Sequence, residues 1–226
     1  MKTRTKVLLM AISAVLLVVS TVITTVAFLT SKTDVVQNTF TFGQVIITLD
    51  ESDVEPNGTL STTGERVITN DYHLIPGHHY IKDPTVHVDE DSEDCWLFVK
   101  LKNDLVEIID GKTTFDDNDA ADTVYTIEAQ MSKNGWTCID EQNNVWAYKQ
   151  IVYAQDDIPV FNSFDLVDNA DVSAYVTEKD ADGKVIGGKT IDLVAYAVQA
   201  DGFNNDELSA LENAELAWAS TFGAKN

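Results

Sequence analysis

Four histidines, His73, His78, His79 and His87, are the first residues whose type could carry chemistry. Zinc hydrolases of the commonest kind place two histidines one helical turn apart with a glutamate between them, and no HExxH occurs in the chain. His78 and His79 are adjacent and follow Pro76-Gly77, so on an extended backbone their rings point to opposite sides. The residues favour solvated side chains over a catalytic zinc centre. Neither do the cysteines suggest a nucleophile: Cys95 and Cys138 fall in apolar, strand-like runs, and no G-x-S-x-G elbow is present. No catalytic, cofactor-binding or metal residue is assigned, and no cofactor is implied.

Two acidic runs, Asp116-Asp117-Asn118-Asp119 and Asp180-Ala181-Asp182-Gly183, have the oxygen-rich character that hard cations such as calcium require. Neither completes an EF-hand loop with its closing glutamate, so solvated turns are the expectation. The aromatic residues Trp96, Phe98, Trp136, Trp146 and Tyr148 could stack on a sugar, but all sit in strand patterns and read as core. The Asn57-Gly58-Thr59 sequon reads as coincidence.

These residues must be positioned by a β-rich body. Val45, Ile47 and Leu49 share one alternation phase and Phe40 and Phe42 the other, which predicts a strand from Thr39 to Asp50 with a bulge near Gly43. A long polar loop follows to Tyr72, with a short strand at Arg66 to Ile68. Further strands are expected at Thr85–Val88 and at Cys95–Leu101, where Cys95, Leu97, Val99 and Leu101 share a face. Others are expected at 136–140, 145–153, 160–167 and 172–178. The last of these turns through Asp180–Gly183 into a long strand at Lys189–Gln199. Thr126–Ser132 reads as a short helix. A carboxyl-terminal helix is expected with Asn204 or Asn205 as its cap and Leu208, Leu211 and Trp218 on its apolar face. Many short strands and few helices predict an all-β fold, a jelly-roll-like two-sheet antiparallel sandwich in one domain over 28–226.

Ahead of that body, Lys2, Arg4 and Lys6 precede an uncharged apolar stretch from Val7 to Leu29. That is an export signal. The stretch is long enough to span a bilayer of about 30 Å. Ser20, Thr21, Thr24 and Thr25 interrupt its second half, however, and Thr25-Val26-Ala27 supplies the small residues of a cleavage site, so residues 1–27 read as a signal peptide cleaved after Ala27. The formal net charge of the whole chain is −22, and removing the signal removes only basic side chains. Such a charge argues against nucleic acid or anionic lipid as partner, because phosphate binding needs lysine and arginine. The membrane is met only through the signal segment before cleavage. Outside the cell the two cysteines could pair if their strands are neighbours, and closing a loop of that size would stabilise by about 4 kcal/mol in the chain-entropy account. Two buried thiols are the alternative.

The segment AFLTSKTDVVQNTFTFGQVIITLDE, from Ala27 to Glu51, resembles the start of secreted proteins of the TasA/camelysin family, which are matured by the signal peptidase SipW. LIPGHHYIKDPTVHV, CWLFVKL and IDLVAYAVQADGF before a tryptophan-containing helix are similar to later segments of the same family. The resemblance implies a secreted jelly-roll subunit of Gram-positive biofilm matrix or cell-surface fibres. It also implies self-assembly, in which residues 28–42 leave their own domain and complete a neighbour's sheet. A camelysin-like metallopeptidase and a monomeric surface adhesin are the alternatives.

Overall fold

The computed structural model describes residues 30–32, 44–175, 178–179, 185–186 and 188–223. The signal segment, the bulge expected near Gly43 and the turn Asp180–Gly183 lie outside them. Among the described residues the fold is all-β, built from antiparallel sheets with two short helices, as the sequence leads one to expect.

A five-stranded sheet runs in the order β1 (Thr30–Lys32), β14 (Ile191–Gln199), β6 (Cys95–Asn103), β9 (Val145–Tyr148), β8 (Trp136–Asp140). A four-stranded sheet has the order β10 (Asp157–Pro159), β5 (Thr85–Val88), β2 (Ile47–Ser52), β3 (Arg66–Val67). A smaller one joins β4 (His79–Ile81), β11 (Ser163–Leu166) and β7 (Ile109–Asp110). Between them lies the main core, to which β6 gives Cys95, Leu97, Val99 and Leu101, β14 gives Ala195 and Ala197, and β5 gives Val86 and Val88. Tyr80, Phe161, Phe164 and Trp136 fill its bulk.

The alternation of β6 has a second consequence. Its other face carries Trp96 and Phe98, which are also buried, because α2 (Ala210–Thr221) lies over them with Ala214, Ala217 and Trp218. Small residues at 214 and 217 let the helix approach, and Lys100 at the uncovered end of the strand is exposed. All five aromatics at 96, 98, 136, 146 and 148 pack in one cluster or the other.

The first helix, α1 (Ile127–Lys133), is capped by Thr126, whose hydroxyl accepts from Ala129 N–H, and buries Ile127, Ala129 and Met131. Its Gln130 amide donates to Ser163 O at 2.8 Å and accepts from Asn162 N–H at 3.0 Å, fastening the helix to β11.

Three expectations need correction. Residues 172–175 form a turn of 3-10 helix rather than a strand, since Asp171 accepts from both the amide and the hydroxyl of Ser173 and bends the chain there. The hairpin that follows pairs β12 (Glu178–Lys179) with β13 (Val185–Ile186), whereas β14 pairs with β6 over its full length. Finally, α2 is capped by Ser209 in a reciprocal capping box with Glu212, not by Asn204 or Asn205. Asn205 instead accepts from Glu207 N–H in the preceding turn.

Candidate functional site

The exposed strand edges differ in how open they are. β8 is interrupted by a register shift between Cys138 and Asp140, β10 ends on Pro159, which has no N–H to offer, and β3 is two residues long. β14 is nine residues long, and among the described residues β1 pairs with its outer edge, Thr30 opposite Val198, Ser31 opposite Ala197 and Lys32 opposite Tyr196. Among the described residues no strand pairs with that edge from Ile191 to Val194. The inner side of β14 is locked into β6 by nine paired positions. Its backbone is therefore held extended and in register whatever lies on its outer edge.

The histidines do not converge. His78 Nε2 meets Asn57 O at 2.8 Å, His79 Nδ1 meets the Asp165 carboxylate at 3.1 Å, and His73 is exposed. His87 sits on the central strand β5 between two carboxylates, Asp157 at 2.5 Å from Nδ1 and Asp50 at 2.9 Å from Nε2. Asp50 also takes a hydrogen bond from Arg66, which reaches Asp83 at 3.4 Å. Among the described residues no group of three or more histidine, cysteine or acidic side chains has the arrangement to hold a metal ion.

An imidazole whose two nitrogens both face carboxylates serves as a double donor only when protonated. Desolvation works against that charge, but the hydrogen bonds to Asp157 and Asp50 and their charges outweigh it and raise the His87 pKa above its ordinary value. A raised folded pKa means that the contribution is fully present below the unfolded pKa of about 6.5 and is lost as pH rises through the folded value. His87→Gln is therefore expected to cost about 1 kcal/mol near pH 6, after allowing for solvent screening of a partly exposed group. The deficit closes in alkaline buffer; urea unfolding of both proteins across pH 6 to 9 measures it. A deficit independent of pH would sink the assignment.

Of the acidic runs, Asp116–Asp119 is a turn in which Asp116 accepts from Asn118 N–H at 2.9 Å, and Asp119 is bonded by Lys112 and, at 2.5 Å, by the Tyr125 hydroxyl. Those bonds, Lys112 first, hold the Asp119 carboxyl below the usual carboxylate range. The other run lies outside the described residues.

Cys95 and Cys138 are both free. Strand β9 separates theirs: Cys138 lies opposite Trp146, and Trp146 opposite Val99, four residues along β6 from Cys95. Two strand spacings of about 4.8 Å already exceed the Cα separation of about 7 Å that a disulfide can bridge. Burial pushes the Cys95 thiol up to about 12, so it packs as a small apolar group. The chain matches no protein-family model, no curated protein and no solved structure in the comparisons made.

Proposed function

We propose that the chain is a secreted structural subunit that polymerises head to tail into extracellular matrix or cell-surface fibres. After cleavage behind Ala27, residues 28–42, of which Thr30–Lys32 pairs with β14, leave their own domain and pair with β14 of the next subunit in a jelly-roll-type sandwich. The observation that carries this reading is where the segment after the signal lies: Thr30–Lys32 pairs antiparallel with Tyr196–Val198 on the outer edge of β14, a nine-residue strand fixed on its inner side by β6. Pairing at a sheet edge is exchangeable, because the main-chain hydrogen bonds given up within one chain re-form on a neighbour. A donor edge and an acceptor edge at different places on one chain give a heterologous contact, which propagates rather than closes. Tethering in the membrane before cleavage keeps the segment from reaching a neighbour, so a SipW-type peptidase would act as the switch.

The test compares a chain beginning at residue 28 with one beginning at residue 43. Electron microscopy and sedimentation are expected to show fibres for the first and monomers for the second. A synthetic peptide of residues 28–42 is expected to bind the shortened chain. Fibres of the same morphology from both chains would refute strand donation. A folded monomer from the longer chain at all concentrations would refute polymerisation itself.

A further inference from the structure

Glu51 and Lys82 are the only acidic and basic residues with buried side chains among the described residues, 5% and 8% exposed, and they meet at 2.6 Å between Oε2 and Nζ. An ion pair removed from water recovers its desolvation cost only when its remaining lone pairs and protons are well satisfied. Here the other carboxylate oxygen, Oε1, accepts from Nδ2 of Asn70 at 3.0 Å. Asn70 Nδ2 also donates to Ser52 O at 2.9 Å, while its Oδ1 accepts from the Val54 backbone N–H at 3.0 Å. The amide orientation is thereby fixed, because only the oxygen can accept from an N–H. Tyr72 closes the site: its ring centroid lies 6.0 Å from Lys82 Nζ, and its hydroxyl donates to Ile81 O at 3.0 Å.

One carboxylate thus bridges an amine and the nitrogen of a carboxamide, and the carboxamide oxygen faces a backbone donor. Those are the parts of an acyl-transfer site: a nucleophile, a proton carrier between nucleophile and leaving group, and a donor for the developing oxyanion. We propose that Lys82 and Asn70 become joined by an intramolecular amide bond, formed in the folded chain with Glu51 as the proton carrier.

Nζ gives a proton to Glu51 Oε2 and attacks Asn70 Cγ. The charge on Oδ1 is stabilised by Val54 N–H. Collapse breaks the Cγ–Nδ2 bond, and Nδ2 leaves as ammonium with the two protons that Nζ has lost, one relayed through each stage by Glu51, whose carboxylate is regenerated. Bonds and protons balance, and neither oxidant, reductant nor cofactor is needed. Burial of Glu51 and Lys82 keeps the amine and its proton carrier out of bulk water. The product ties the segment after β3 to the residue that follows β4 and leaves no ionised lysine in the interior. This device is independent of polymerisation, since none of its residues belongs to β1 or β14.

The test is peptide mass spectrometry on the folded protein, denatured and digested with trypsin. With the bond present, cleavage after Lys82 fails and the fragment from Val67 through Lys100 is lighter by one ammonia. In Glu51→Gln, cleavage after Lys82 is expected to return and both fragments to have their sequence masses; Lys82→Arg is expected to restore the unmodified Asn70. The wild-type digest is decisive by itself, should either variant fail to fold. Two results overturn the proposal: sequence mass with normal cleavage after Lys82, which is a plain ion pair, or loss of ammonia with normal cleavage after Lys82, which is Asn70 closing on its own backbone.

Discussion

Tyr80→Ala is expected to lower the free energy of unfolding by about 3–5 kcal/mol, the range for deleting a buried aromatic ring. The side chain is wholly inaccessible, stacks on Phe164 with ring centroids 5.0 Å apart and meets Tyr72 edge-on at 5.9 Å. Its hydroxyl accepts from Ile75 N–H at 2.6 Å and donates to His73 O at 2.8 Å, so it also fixes the loop that enters β4. Little can collapse into the gap. The opposite wall is Gly58, at φ +81°, where an added Cβ would lie 2.5 Å from a Tyr80 ring carbon and 2.9 Å from its Cα. Tyr80→Phe separates the two contributions: it keeps the ring, strands the Ile75 N–H, and should cost about 1–3 kcal/mol. The check is the urea midpoint at constant slope. A loss below about 1 kcal/mol for the alanine variant would mean that this wall of the core is not the packed contact described.

Tyr80 also marks where the sequence was readable and where it was not. Alternating apolar runs were legible: β5 and β6 begin where the pattern places them, and Ile47 and Leu49 share the inward phase. Strands of two or three residues carry too little periodicity, and β4, β7 and β10 exist because long-range partners supply their hydrogen bonds. At the last helix the sequence offers two start signals, the paired asparagines and Ser209-Ala210-Leu211-Glu212, and the serine–glutamate spacing is the one that caps.

The buried Glu51–Lys82–Asn70 group had one trace in the sequence. Glu51 continues the inward phase of Ile47 and Leu49, and an acid in that phase demands a partner. Nothing local indicates that the partner is Lys82, 31 residues on, because the pairing depends on how β2 and the segment after β4 are brought together. The pairing of Thr30–Lys32 with the outer edge of β14 was equally invisible. Periodicity reports which face of a strand is buried, not which neighbours its backbone has.

Phe98→Ala is expected to cost about 3–5 kcal/mol and, unlike Tyr80→Ala, to act through the outer layer. Phe98 is fully buried, yet it points away from the sandwich core and toward α2, with its ring centroid 5.1 Å from that of Trp218. Trp218 in turn packs on Tyr196 at 5.4 Å and on Phe222 at 4.6 Å, so the helix is held to the sheet largely by one aromatic group seated on β6 and β14. Truncating either partner removes the same contact. Trp218→Ala should therefore cost less than Phe98→Ala, being partly exposed, and the double variant should fall short of the sum by about 0.5–1.5 kcal/mol. Hydrogen exchange decides where the loss falls. Protection should drop first in α2, while the amides shared by β6 and β14 keep theirs, because their ladder and the inner layer of Leu97, Val99, Ala195 and Ala197 are untouched. Equal loss in α2 and in the β6–β14 ladder would show that the helix is integral to the sandwich. Loss confined to α2 would show that the sheet bearing the β14 edge persists when its outer cover loosens, which an edge that must stay in register for a neighbour requires.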